Sequence, residues 1–297
     1  MSEEYFSVQP DAPYDLAHQN MYFGGWPTLS PQDPAVVISF PVEGWRRSAA
    51  VAVRQEAGGR VTGKVHGAGA EAEAAWRQAC AALSLDFDGR GWAEVGKRDP
   101  VIGALQGSLR HLRPLLFHSP YEAAASFVIG HRISIRQARK IRQNIAERHG
   151  EAVEIGDRSF PAFPRPQALK EVTAVPGLSE TKVNRLRGIA DAALEGRLDR
   201  EYLRSLPVDA ALEGLRALEG IGEFFSQGIL HRGAGLVNEL TDDLMTKRAV
   251  QAAYQLPDMP DQHTVLEVAE PWRPYRTWAM VLLHVWFRRE GGPGAGR

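Results

Sequence analysis

The sequence predicts an α+β protein. A small N-terminal domain of antiparallel β-sheet and helix spans residues 1–105, an all-helical domain spans 106–290, and a disordered tail covers 291–297. Three observations predict this. Short β-branched runs punctuated by glycine occupy the first part of the chain. After Pro100, apolar residues recur at helical spacing between capping residues and short loops. Further on, Leu218-Glu219-Gly220-Ile221-Gly222 reads as a tight turn between two helices, and Asp242-Asp243 follows at the start of another.

The runs 35–40, 49–53 and 60–65 suit a small meander, with Gly44 and Gly58-Gly59 between them. Residues 71–85 read as a helix carrying Ala72, Trp76, Cys80 and Leu83 on one side. Ser134 with Gln137 forms a capping box, and Ala138, Ile141 and Ile145 follow on one face. Ser179 caps a helix bearing Val183, Leu186 and Ala190. Asp209 opens the next, with Leu212, Leu215 and Leu218. Residues 223–232 form the second arm of the turn, 243–254 another helix, and Pro274 the first turn of a last one ending at Arg289. Val175-Pro176-Gly177-Leu178-Ser179 is a fainter echo of the central turn, read as structural.

With 297 residues, 44% hydrophobic, the chain can bury a sizeable core. No stretch approaches the roughly 20 apolar residues of a membrane span. The start, Met1-Ser2-Glu3-Glu4, lacks the basic-then-apolar order of a secretion signal, so a cytoplasmic location is expected. A single cysteine, Cys80, excludes intrachain disulfides and a four-cysteine iron–sulfur cluster. Its spacing with Trp76 and Leu83 points to a buried thiol.

Net charge is −1, but between Arg110 and Arg148 lie Arg113, Arg132, Arg136, Arg139, Lys140 and Arg142, opposed only by Glu122 and Glu147. This local stripe suits a polyanion or, equally, a solvated helix face.

In the glycine turn, Leu215, Leu218 and Ile221 supply contacts that lock two helices, while Gly220 and Gly222 allow close approach or a left-handed backbone. Amides at the start of the following helix, with its dipole, suit a phosphate and hold it without reading sequence. An acid at a helix start is by itself an ordinary N-cap. With the hairpin upstream, Asp243 becomes a candidate catalytic carboxylate and Asp242 a structural one.

The segment 215–243 resembles the helix-hairpin-helix DNA glycosylase superfamily, in particular its 3-methyladenine DNA glycosylase II branch. Leu240-Thr241-Asp242-Asp243-Leu244, Ala192-Ala193-Leu194-Glu195-Gly196, Ala269-Glu270-Pro271-Trp272-Arg273-Pro274-Tyr275-Arg276 and Leu283-His284-Val285-Trp286-Phe287 carry the likeness. It extends over residues 105–290. The resemblance implies an active-site cleft between helical subdomains, with Asp243 driving departure of an alkylated purine flipped out of duplex DNA. It places Phe224, Trp286 and Leu244 at the base, and Gly220, Gly222, Arg132, His131 and Ser134 at the DNA. It also implies a structural sodium or potassium ion on the carbonyls of Arg216, Leu218 and Ile221, with no cofactor required. Relatives that also nick the strand carry a lysine where Phe224 stands, so a monofunctional, monomeric enzyme without lyase activity is expected. Trp272 and Trp278 are equally readable as core, the better reading for Trp278.

The pattern is broken in three places. Gly130-His131-Arg132-Ile133-Ser134 offers an arginine where an apolar or amide wedge is usual. Leu244 replaces an aromatic, and Glu223-Phe224-Phe225-Ser226 replaces a basic residue followed by Trp-Thr-Ala. These departures leave open two alternatives: a catalytically weakened DNA-binding paralogue sensing distorted duplex, and a glycosylase for oxidised or deaminated bases.

Overall fold

The computed structural model describes residues 4–23 and 26–289, so the tail expected over 291–297 lies outside the described residues. Strands β1 (Glu4–Val8), β2 (Val36–Pro41), β3 (Ser48–Gln55) and β4 (Val61–His66) make one antiparallel sheet in the order β1-β4-β3-β2. The last three are the β-branched runs. β1 was not expected; it is a largely exposed edge strand whose Val8 pairs with Val61, and its apolar face is just Phe6 and Val8, half-buried on the sheet's core. A helix, α1 (Leu16–Phe23), follows it.

Helix α2 (Ala72–Ala82) lies across the sheet and buries Ala72, Trp76, Cys80 and the following Leu83 against Ile38, Phe40, Val51 and Val65. A β-carbon at Gly63 would sit 2.2 Å from the Trp76 ring, so only glycine lets that indole lie on the strand. Burial pushes the Cys80 thiol up to about 12, which fits a packing role.

Helices α3 (Trp92–Arg98), α4 (Pro100–Leu109), α5 (Pro120–Gly130) and α6 (Ile135–His149) come next. Two short strands follow, β5 (Ala152–Ile155) and β6 (Arg158–Pro161), so the second part is not all-helical as expected. They form a hairpin whose Val153, Ile155 and Phe160 cover Ala35, Val37, Ala50 and Ala52, the sheet face that α2 leaves open. The remaining helices are α7 (Pro166–Lys170), α8 (Glu180–Leu194), α9 (Arg200–Ser205), α10 (Val208–Arg216), α11 (Glu223–Ile229), α12 (Leu244–Tyr254), α13 (Gln262–Val268) and α14 (Arg276–Arg289). None is long and apolar enough to cross a membrane among the described residues.

The helices pack around two cores. One joins residues of α5, α6, α8, α10 and α11, among them Tyr121, Ile145, Leu186, Leu215 and Ile229. The other joins α3 and α4 to the C-terminal helices through Trp92, Ile102, Leu109, Val250, Trp272 and Trp278. The boundary expected at 105 therefore falls inside α4, whose apolar face belongs with the chain's far end. Trp278 and Trp272 are both fully buried, and the Trp272 indole donates to Asp99 at 2.8 Å.

Three local expectations shift. Asp209 is the second residue of α10, after Pro207 at the N-cap, and Leu218 lies beyond its end in the turn. Pro274 precedes α14 instead of entering it. Arg113 leaves the basic stripe altogether: it is 1% exposed, donates to the Ser84 and Ala12 carbonyls, and lies 4.8 Å over the Trp278 ring.

Candidate active site

The hairpin consists of α10, the turn 217–222 and α11. Leu215, Leu218 and Ile221 are buried in the first helical core, and the Ile221 amide donates to the Leu218 carbonyl at 3.0 Å. The two glycines differ. Gly220 has φ +84°, a left-handed backbone that favours glycine, and a β-carbon there would push aside the end of the Arg185 side chain, 2.6 Å away. Gly222 is extended, with φ −93° and nothing within 4 Å of a β-carbon. The fold does not demand glycine at 222, contrary to the reading that both glycines relieve internal crowding. Gly222 is the N-cap of α11, and no side chain caps the amides there.

Glu223 does not face outward as a bare charge. Its carboxylate pairs with Arg216 across the hairpin and accepts from Gln227 at 2.9 Å. The Gln227 carbonyl in turn accepts from the Asp242 amide at 3.1 Å. One side chain thus fastens the hairpin to the segment that carries the acid pair.

Asp243 is the N-cap of α12. One carboxylate oxygen accepts from the Thr246 amide at 2.9 Å, the other from the Thr246 hydroxyl at 2.7 Å. His284 Nε2, from α14, lies 3.0 Å from the same hydroxyl oxygen. A hydroxyl has one proton, here spent on Asp243, so His284 must donate from Nε2. Burial lowers the His284 pKa to about 4, against the nearby Asp243, with Arg288 and Arg232 pushing the same way as burial. The imidazole is therefore neutral at pH 7, in its Nε2–H tautomer, and the chain of donors runs from His284 through Thr246 to Asp243. Asp243 stays a pure acceptor, half-buried at a positive helix end. Asp242, read as a structural acid, pairs with Lys247 at 2.6 Å.

Phe224 is 50% exposed, backed by Phe225 at 5.9 Å and Phe127 at 6.4 Å between ring centroids. A β-carbon at Gly228 would lie 2.4 Å from the Phe127 ring, which is how α5 comes so close to α11. The His131 ring stands 5.6 Å from Phe225, so the turn after α5 meets the hairpin helix. Lys182 on α8 pins that turn, donating to the Ile129 carbonyl at 2.9 Å and that of His131 at 2.7 Å. Arg132, at its apex, has φ +55° and is exposed. Ser134 closes the capping box with Gln137, which occupies its hydroxyl. Leu244, beside Asp243, is 55% exposed. Trp286 is half-buried against the second core with Phe287 at 6.5 Å. Two residues on from His284, it projects about 200° round α14 from the relay.

The structure thus brings Gly222, Phe224, His131 and Asp243 to one seam between the two helical cores. Sequence reasoning missed Gln227, Thr246, Lys182 and His284. Thr246, three residues after Asp243, was the one with a local signal, as the N3 partner of an N-cap.

No family model matches the chain. DNA-3-methyladenine glycosylase of Bacillus subtilis (strain 168) is 22% identical over 206 residues, 68% of each chain. DNA-3-methyladenine glycosylase 2 of Escherichia coli (strain K12) is 28% identical over 177 residues, 56% of this chain and 57% of that relative's length. In fold, a 3-methyladenine DNA glycosylase from Archaeoglobus fulgidus matches with a TM-score of 0.79 at 21% identity, covering 96% of this chain and 98% of the other. An 8-oxoguanine glycosylase/lyase from Clostridium acetobutylicum, solved with duplex DNA, matches at 0.71 with 19% identity over 98% of both chains. Sequence likeness to the first pair and agreement of the whole fold with the second lead to one assignment: the chain belongs to the helix-hairpin-helix DNA glycosylase superfamily.

Proposed function

We propose that the protein is a monofunctional DNA glycosylase of base excision repair that removes alkylated purines, such as 3-methyladenine, from duplex DNA. The observation that carries this reading is the Asp243 carboxylate, held as an acceptor by both donors of Thr246 and tied through Gln227 to the hairpin. The names of the sequence relatives support the same substrate class.

The unpaired amides at the start of α11 hold a backbone phosphate, and the open space over Gly222 admits it. Arg132, lifted on its left-handed turn, fills the gap left by the extruded nucleotide. Phe224 offers a stacking face for the base, with Leu244 beside Asp243, whereas Trp286 packs on the second core and turns away from the relay. An alkylated purine is cationic and leaves without being protonated by the enzyme. Positive charge then grows on the sugar, and the fixed, ionised Asp243 stabilises it and orients water. With Phe224 where the resemblance places a lysine, and Lys182 and Lys247 paired with other groups, no lysine among the described residues is poised to form a Schiff base.

The turn carbonyls of Arg216, Leu218 and Ile221 suit a structural sodium or potassium ion. The Leu218 oxygen accepts the Ile221 amide and keeps a second lone pair, and neutral carbonyls match a hard monovalent cation. Such an ion stiffens the turn.

The test is release of free 3-methyladenine or 7-methylguanine from methylated duplex by wild type and Asp243→Asn. Asparagine caps a helix about as well as aspartate, so the variant keeps its fold while losing the charge. Release by wild type falling roughly a thousand-fold in the variant is expected; equal, slow release by both would sink the enzyme reading and leave a DNA-binding paralogue.

A further inference from the structure

The structure divides the basic stripe. Arg113 is buried, and Arg142 pairs with the buried Glu122, which His118 holds as well. The other acid of the stripe, Glu147, accepts from Gln143 at 2.8 Å. Arg136, Arg139 and Lys140 on α6 remain exposed, and among the described residues no carboxylate pairs with any of them. At about 100° per residue the three fall on one arc of α6, opposite Ile145, which anchors the helix in the core.

Nothing in the stability of α6 asks for these cations. They stand in its first two turns, where the helix dipole favours acids, and its first turn holds no acid. Arg136 also meets Arg139 three residues on and Lys140 four residues on, and like charges at those spacings destabilise a helix. A face that serves solubility alone mixes both signs; this arc carries one. At its edge, one turn before Arg139, stands Ile135, 82% exposed.

The arc begins beside the candidate active site. His131, three residues before the Ser134 cap of α6, lies 5.6 Å from Phe225, and Phe225 lies 5.9 Å from Phe224. Lys182 fastens this turn through the Ile129 and His131 carbonyls, so α6 leaves the seam in a fixed direction.

We infer that the outer arc of α6 is a second DNA-docking surface, separate from the hairpin amides. Arg136, Arg139 and Lys140 hold backbone phosphates beside the extruded nucleotide, and Ile135 packs on the sugar edge next to them. The inference rests on the duplex-DNA part of the reading above. Phosphate contacts carry no lesion information. The surface therefore adds affinity for any duplex, while the hairpin and Asp243 make the choice.

The experiment measures binding of the full chain to an undamaged duplex and to one with a tetrahydrofuran abasic site, from about 50 to 200 mM salt. The triple variant Arg136→Gln, Arg139→Gln, Lys140→Gln should lose roughly 10- to 100-fold on both duplexes alike, with a salt slope shallower by about three. Arg136→Lys with Arg139→Lys keeps the charge and should stay near wild type. Ile135→Ser should weaken binding several-fold and leave the slope unchanged. A control, Arg60→Gln, Arg77→Gln, Lys97→Gln, removes as much charge from the N-terminal region and should keep the wild-type slope. The melting temperature of the α6 triple variant should hold or rise, because repulsion along the helix is relieved. Wild-type affinity and slope in that variant overturn the inference. So does an equal loss in the control, which would make net charge the cause, or a markedly lower melting temperature, which would make the cations a brace of the fold. A wild type that holds duplex but frees no alkylated base sinks the glycosylase reading and leaves this surface standing, so the two failures are separable.

Discussion

At the scale of single residues, the site turns on one hydroxyl. Thr246 is 1% exposed, gives its only proton to Asp243 and receives one from His284. Thr246→Val keeps shape and volume but removes both links, leaving a buried imidazole N–H without an acceptor and the carboxylate with one donor fewer. Single-turnover base release is expected to fall about ten-fold or more in Thr246→Val, with a lower melting temperature, because a hydrogen bond to a charged group is worth roughly 1.5–3 kcal/mol. Thr246→Ser restores the proton and should recover most of the rate. Equal rates for Val and wild type would mean that the hydroxyl does not hold the acid. Asp243 itself was readable from the chain because an acid at a helix start is a local signal and the glycine turn precedes it. His284 was not, since 38 residues separate it from Thr246 and only packing of α12 on α14 joins them.

At the scale of elements, what was legible is what the chain encodes locally. The capping box at Ser134 and the cap at Ser179 form as read, since each is a contact between residues three apart. The β5–β6 hairpin escaped because four alternating residues are too short a pattern to stand out, and its partner surface comes from strands about a hundred residues earlier. A π-helical turn over Leu230–Ala234, after α11, carries no sequence signature at all. The central turn was found by its glycines, but only the structure separates their roles, and that separation is measurable. Gly220→Ala forces a side chain into a left-handed backbone and against Arg185, and should cost about 1–3 kcal/mol of stability in denaturant melts. Gly222→Ala meets nothing inside the protein, so stability should hold while affinity for duplex falls, the new methyl standing where the phosphate approaches. If Gly222→Ala binds duplex as well as wild type does, the amides at that helix start are not the DNA contact.

At the scale of the molecule, stability should depend on pH through groups at the seams between layers. Burial holds His231 and His284 at about 4, below the ordinary histidine value of 6.5. Between those values the unfolded chain binds protons that the folded one refuses, so stability is lost as pH falls from 6.5 towards 4. Each histidine contributes about 3 kcal/mol at the acid end, taking 1.36 kcal/mol per unit. Glu43 works in the opposite sense. Set between the sheet and α9 and facing Arg200 at 3.6 Å, it is raised by burial from 4.5 to about 7 despite that arginine. The folded state takes up its proton first, so stability is gained as pH falls from 7 to 4.5, offsetting roughly one histidine. Glu122, lowered to about 2 by His118 and Arg142 against the effect of burial, loses its contribution only as pH falls below 4.5. Melting temperature should therefore decline gently from pH 7 to 4.5 and steeply below. Removing the offset with Glu43→Gln should raise stability at pH 8, where a buried carboxylate is no longer forced to ionise, and make the decline between pH 6.5 and 4.5 about twice as steep, since the two histidines then act unopposed. A Glu43→Gln profile parallel to wild type across that range would mean that Glu43 ionises in the folded protein as it does in the unfolded chain, and that its pairing with Arg200 compensates its burial in full.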